Sequence, residues 1–164
     1  MPGNKTIFRL LWGITMELKT NGKIVSLMRY PEKKMPAVVE ESLCLKQDFG
    51  IEGDHHADGG ERQVSLLTVA EKEWMQIQEV KGFCFKKYKE NILLDEISLT
   101  DCKQGDLLKC GDVVLEMTSS IKSCHPELCS LVKDGKCILA GSSRFAKVKI
   151  SGTICVGMPV MLEK

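Results

Sequence analysis

Charge imbalance is missing from this 164-residue chain: 23 Lys and Arg stand against 22 Asp and Glu, a net of +1. Nucleic-acid recognition needs a basic face, so no nucleic-acid partner is expected. Long apolar runs are missing too. No stretch reaches the length of a membrane span, and no membrane association is expected. Near the N-terminus, Lys5 and Arg9 precede Leu10-Leu11-Trp12, but Gly13 and Glu17 interrupt the apolar stretch and no small-residue cleavage site follows. A secretory signal is therefore not expected. There is no internal repeat and no low-complexity segment. What remains is an ordinary globular composition, 43% hydrophobic. It reads as one domain, long enough to bury roughly two-thirds of its unfolded surface.

The 8 cysteines are an even number, as a disulfide framework would need. A chain this long with a normal core does not need such staples. Reduced thiols in a cytoplasmic setting are the expectation, with most of them acting as small core hydrophobes. Cys44, Cys84, Cys110 and Cys155 sit among apolar or strand-like neighbours.

Along the chain, the apolar residues of 1–20 fit neither the helical nor the strand period, and read equally as an additional strand or a docked extension. Asn21-Gly22 reads as a tight turn or a helix stop. Strands are expected at Lys23 to Arg29, Ala37 to Leu45, Gln63 to Leu67, Asn91 to Leu94, Leu107 to Cys110, Val113 to Thr118, Ala146 to Ile150 and Met158 to Leu162. Gly111-Asp112 has turn chemistry between two of them. Thr68-Val69-Ala70-Glu71 is a capping box and predicts a helix to about Val80 that buries Trp74, Ile77 and Val80. Glu127 to Val132 reads as a short helix with Pro126 in its first turn. Many short strands with one clear helix indicate a mainly β barrel or sandwich with helical decoration.

Chemistry-bearing residues concentrate in Gly50-Ile51-Glu52-Gly53-Asp54-His55-His56-Ala57 and the following Gly60-Glu61-Arg62-Gln63, just before the buried run Val64-Ser65-Leu66-Leu67. A polar site at a strand mouth explains that density, because strands hold loops rigidly enough for chemistry. His56 suits proton transfer near neutral pH. Adjacent histidines cannot point the same way on extended backbone, so one of the pair is expected to be exposed. Asp54 orients His56 or serves the turn. Arg62 can grip a phosphate or carboxylate through two parallel hydrogen bonds, or form a structural ion pair. Ser142, Ser143 and Arg144 make a second candidate anion contact. Cys124 lies in a polar link between Lys122 and His125, and both neighbours can favour a thiolate. With His125, Cys129 and Cys137 it forms a Cys/His set of the kind that suits tetrahedral zinc, although the spacing is not that of a common finger.

The run GIEGDHHADGGERQVSLL resembles the MOSC family, the domain found at the C-terminus of molybdenum cofactor sulfurases. Further blocks follow in the family's order: Glu90-Asn91-Ile92, the hairpin from Gly105 to Thr118, Ser123-Cys124-His125, Arg144 to Val148, Gly152-Thr153-Ile154 and Val156 to Val160. The resemblance covers about Gly22 to Leu162, which divides the chain into an N-terminal extension (1–21) and a MOSC-like domain (22–164). It implies a MOSC-like β-barrel with one main helix and short helical decorations, similar to bacterial members that consist of this domain alone. Those members have a similar Cys-His, Cys, Cys pattern with a shorter first gap.

On that resemblance, Cys124 is the reactive cysteine, a persulfide carrier or molybdenum ligand. The family's Gly-Asp-variable-His-Ala pattern makes Asp54 and His56 the site pair and His55 the variable position. Arg62, Asn91 and Lys122 join Asp54 in shaping the pocket around a molybdenum cofactor, with the Asn91 amide suited to a pterin edge. The implied activity is sulfur transfer or a part in a molybdenum cofactor-dependent reductase, for instance toward a nitrogen-hydroxylated substrate. The alternatives are a non-enzymatic cofactor carrier and a zinc-stabilised binding module. The full-length sulfurases take sulfur from a pyridoxal-phosphate domain for which 164 residues leave no room, so a cysteine desulfurase or molybdoenzyme partner is implied.

Overall fold

A computed structural model describes residues 20–82, 84–86, 88–119, 124–135 and 137–164. Its elements are β1 (Thr20–Arg29), β2 (Val38–Glu40), β3 (Ser42–Lys46), β4 (Gly50–Ile51), β5 (Val64–Thr68), α1 (Val69–Ile77), β6 (Ile92–Asp95), β7 (Leu107–Cys110), β8 (Val113–Met117), a 3₁₀ turn (Pro126–Leu128), α2 (Ser130–Lys133), α3 (Leu139–Ser142), β9 (Arg144–Ile150), β10 (Gly152–Cys155) and β11 (Pro159–Glu163).

Seven strands close into a mixed barrel in the order β1-β11-β7-β8-β9-β5-β6 and back to β1, with β2 added along β1. Closure removes the unpaired edges that an open sheet leaves. β5 and β6 are parallel. A parallel pair needs a crossover rather than a tight turn, and α1 lies in that crossover. Strand alternation fills the barrel: β8 turns Val113, Leu115 and Met117 inward, where they join Leu108, Cys110, Ala146, Val148, Val160 and Leu162. The small sheet β10-β3-β4 adds Leu43, Leu45, Ile51 and Ile154 to the same core. A second apolar cluster, built from Leu67, Tyr88, Leu93, Leu139 and Phe145 with Trp74, Phe85 and Cys137 packed on it, lies on the other face of β5, β6 and β9.

The mainly β barrel with one principal helix agrees with the sequence expectation. The capping box is present, with the Thr68 N–H donating to Glu71 Oε2 at 3.0 Å. The β7–β8 hairpin turns at Gly111, whose φ is +59°, as a tight two-residue hairpin requires.

Several local expectations are corrected. Asn21-Gly22 is neither a turn nor a helix stop: both pair with β11 inside β1. Glycine is needed there for close approach, because a Cβ at Gly22 would lie 2.6 Å from the Asp95 carbonyl oxygen. The expected strand from Ala37 to Leu45 is two strands separated at Glu41. The helix stops at Ile77 rather than Val80. The Lys81 amine donates to the Met75 and Gln76 carbonyls, which satisfies the helix end. Ile77 and Val80, expected to be buried, are 77% and 57% exposed, because α1 ends before Val80 and only part of its surface docks on the barrel. All eight cysteines stand as thiols, but Cys44 and Cys155 are exposed. They occupy the outward positions of β3 and β10, where strand alternation turns every second side chain away from the core. Residues 1–19, with the question of an extra strand or extension, lie outside the described residues.

Candidate functional site

The site forms where β1 ends, β6 begins and the long β4–β5 connection returns to the barrel. Gly53, at φ +78°, turns the chain so that Asp54 points inward; other residues rarely adopt that conformation. The Asp54 carboxylate is fully enclosed. Its Oδ2 accepts hydrogen bonds from the Tyr30 N–H and the Asn91 amide, both at 2.9 Å. Its Oδ1 accepts from the His56 N–H at 2.8 Å and lies 2.9 Å from His56 Nδ1. Burial alone would raise the Asp54 pKa. The His56 ring and the Tyr30 and His56 amides outweigh it and hold the carboxyl below its ordinary value.

A carboxylate can only accept, so His56 Nδ1 carries the proton and Nε2 is left as the ring's other nitrogen. His55 is arranged in the same way. Its backbone N–H donates to the Tyr30 carbonyl, and its Nδ1 lies 2.9 Å from that oxygen. The two rings lie side by side with centroids 3.7 Å apart and a tilt of 39°. The expectation that adjacent histidines diverge is therefore corrected. The backbone here is a turn, closed by Ala57 N–H to the Asp54 carbonyl, and both rings are half-buried.

Asn91 has no edge to offer a pterin. Its oxygen accepts from Ser65 N–H and Ser65 Oγ–H, and its amide donates to the Met28 carbonyl and to Asp54. With both amide protons and the oxygen used inside the protein, it is a clasp that positions Asp54. Ser65, which the sequence reading passed over, is the other half of that clasp. Its signal is a hydroxyl inside an otherwise apolar, fully buried strand, where a polar group must find a partner. Tyr30 was also passed over. Its backbone N–H donates to Asp54 and its carbonyl accepts from His55, and its hydroxyl donates to the Glu90 carbonyl at 3.0 Å.

His55, His56, Asp58, Gly60, Glu61 and Arg62 line an open cleft of about 420 Å³. The exposed Arg62 guanidinium sits 4.9 Å above the centre of the Phe145 ring, a cation–π contact that steadies it while leaving it at the cleft. Arg144, by contrast, is buried and donates to the Ser143, Thr100 and Cys102 carbonyls. Ser142 and Ser143 donate to Ile138 and Leu139. That group ties loops together, and the anion it meets is the protein's own Glu71 carboxylate, on which Ser142 and Arg144 act, rather than a ligand in an open cleft.

Cys124 is exposed, just ahead of the 3₁₀ turn. The link that carries it leaves β8 at Thr118, whose N–H donates to the Phe145 carbonyl at 3.0 Å. Cys137 packs on the apolar cluster that contains Phe145. Phe145 thus touches both Arg62 and the first residue of the segment that leads to Cys124, while Cys124 itself is not among the residues that line the cleft. Lys122 lies outside the described residues. The zinc set is not assembled: Cys129 is buried at the start of α2, Cys124 and His125 are exposed, and Cys137 faces the apolar cluster. His125 lies 3.5 Å from Glu127. Among the described residues, Asp54, His55 and His56 are the one group of three such side chains whose ligand atoms fall within 4.8 Å of one another. Also among the described residues, no helix is long and apolar enough to cross a membrane.

No family description matches the chain, and no curated protein does. Solved structures do. YuaD from Bacillus subtilis superposes with a TM-score of 0.69 at 15% identity, over 90% of this chain and 98% of that one. YiiM from Escherichia coli gives 0.54 at 14% identity, over 87% of this chain and 70% of that one. YiiM from Geobacillus stearothermophilus gives 0.55 at 17% identity, over 87% and 75%. YuaD and YiiM are MOSC-domain proteins, and the barrel of this chain is similar to theirs in fold.

Proposed function

We propose that this protein handles sulfur or a molybdenum cofactor, with Cys124 as the persulfide carrier or molybdenum ligand and the His56–Arg62 cleft as the cofactor pocket. The observation that carries this reading is the placement of Arg62. A permanently charged fork, steadied on Phe145, faces an open cleft, and the link to an exposed cysteine starts beside the same Phe145. The cleft volume falls within the range of small-molecule and cofactor sites. The donor set also fits a phosphorylated pterin: Arg62 suits its phosphate, His56 offers a ring nitrogen, and a thiol is a soft ligand for sulfur or metal.

When bound, a molybdenum centre supplies two-electron redox chemistry. The chain's own part is narrower. Arg62 binds and orients the anionic end, and Asp54 fixes the tautomer of His56, whose Nε2 takes up a proton when no metal occupies it. As a sulfur carrier, the Cys124 thiolate attacks the outer sulfur of a donor persulfide. A new S–S bond forms on Cys124, the donor's S–S bond breaks, and the donor cysteine leaves as a thiolate. A cysteine desulfurase is the donor class that this step requires, and a molybdoenzyme is the acceptor class.

Cofactor retention tests the pocket. The protein is mixed with molybdenum cofactor released from a donor molybdoenzyme, passed through gel filtration, and assayed for pterin fluorescence after oxidation. Wild type should retain pterin, and Arg62→Ala should lose most of it while melting at the same temperature. Equal retention by the two proteins would remove the cleft from the proposal.

A further inference from the structure

We infer that His55 and His56 form a divalent transition-metal site of their own, with Nε2 of each ring as a ligand. The argument begins with the opposite nitrogen. A histidine that binds metal through one nitrogen almost always donates the other to a carboxylate or backbone carbonyl, which fixes the tautomer and raises ligand basicity. Both partner types are present here, side by side. His56 Nδ1 is 2.9 Å from the enclosed Asp54 carboxylate, and His55 Nδ1 is 2.9 Å from the Tyr30 carbonyl. Neither partner needs such a pairing for its own sake. Asp54 already accepts from Tyr30, His56 and Asn91 through N–H groups, and the Tyr30 carbonyl already accepts the His55 backbone N–H.

The rings also lie close together. Their centroids are 3.7 Å apart, and one ring nitrogen from each, with an Asp54 oxygen, falls within 4.8 Å. One cation can therefore reach both rings. Asp54 does not serve as a ligand: each of its oxygens is occupied by two N–H donors, and it acts behind His56. Both rings line the open cleft, so solvent or an added small ligand completes the coordination shell. Paired imidazoles suit zinc, nickel, copper or cobalt rather than magnesium or calcium, which prefer oxygen. The site involves none of the cysteines and does not depend on the role proposed for Cys124.

The test uses cobalt(II), which reports its ligands spectroscopically. Metal-free full-length protein is titrated with Co²⁺ and followed by visible absorption and calorimetry, alongside His55→Gln, His56→Gln and Cys124→Ser. Wild type should bind one ion per chain without a thiolate-to-cobalt charge-transfer band. Each histidine variant should bind at least tenfold more weakly with an unchanged circular dichroism spectrum, and Cys124→Ser should bind like wild type. The inference is overturned by the absence of saturable binding, by a thiolate band lost in Cys124→Ser, or by full affinity in the histidine variants. A normal histidine site together with a failed pterin-retention assay would retain this inference and remove the cofactor pocket.

Discussion

His56 Nδ1 and Asp54 Oδ1 stand 2.9 Å apart, and the carboxylate that holds the ring is itself closed off from solvent. This one contact decides which nitrogen of His56 reaches the cleft. Every role given to His56 above depends on it.

The Asp54 clasp should be among the most sensitive points of the fold outside the barrel core. Asp54→Ala would strand the Tyr30 N–H, the His56 N–H and the Asn91 amide in a closed environment. Unpaired buried donors cost on the order of 1–3 kcal/mol each, so a loss of about 3 kcal/mol or more is expected in urea unfolding. Asn91→Ala, which removes the clasp from the other side, should cost a similar amount. A loss under about 0.5 kcal/mol for either, the size expected of plain surface positions, would show that the network is not what holds the loop.

The same carboxylate predicts an acid limb. In the folded protein Asp54 has a lowered pKa, with burial opposing and the His56 and Tyr30 hydrogen bonds dominating. The unfolded chain therefore takes up the proton first as pH falls. The stabilisation from Asp54 is complete above the ordinary carboxylate range near pH 4, and is lost as pH drops from there through the lowered folded value. Denaturation midpoints measured between neutral pH and strong acid should fall more steeply in wild type than in Asp54→Asn. Parallel curves would contradict the assignment.

Thiol labelling should separate the eight cysteines by burial. Burial pushes the Cys110 thiol up to about 12 and, with Asp106 adding to it, Cys102 up to about 11. Both should stay unmodified in the folded protein at neutral pH while the exposed Cys124, Cys44 and Cys155 react. Mass mapping after brief alkylation checks this, with Cys124 expected ahead of the two strand cysteines. Cys110 reacting as fast as Cys124 would mean that the barrel opens on the labelling timescale.

Much of this was legible in the chain because the signals are local. Alternating apolar residues in Val113 to Met117, Gly111-Asp112 and Thr68 to Glu71 each specify geometry within a few residues. Asp54 and His56 were legible for the same reason. Most of the failures involve distant partners. Asn91 could be recognised as important, but its hydrogen bonds go to Met28, Asp54 and Ser65, none of which its own neighbourhood indicates. Arg62 and Arg144 look alike in sequence, and only the fold exposes one at a cleft and buries the other among carbonyls. The helix end was misplaced because Lys81 satisfies the carbonyls from beyond it. His55 was set aside because the turn that stacks it on His56 depends on the Tyr30 carbonyl some twenty-five positions earlier.

The central claim is that Cys124 is the thiol through which this protein holds sulfur or molybdenum. Wild type and Cys124→Ser should be exposed in parallel to a cysteine desulfurase with cysteine and to released molybdenum cofactor, then analysed for persulfide sulfur and molybdenum per chain. The account predicts that wild type takes up one of the two and that Cys124→Ser, folded and melting normally, takes up neither. Equal loading of the two proteins, or no loading of wild type under either condition, would contradict it.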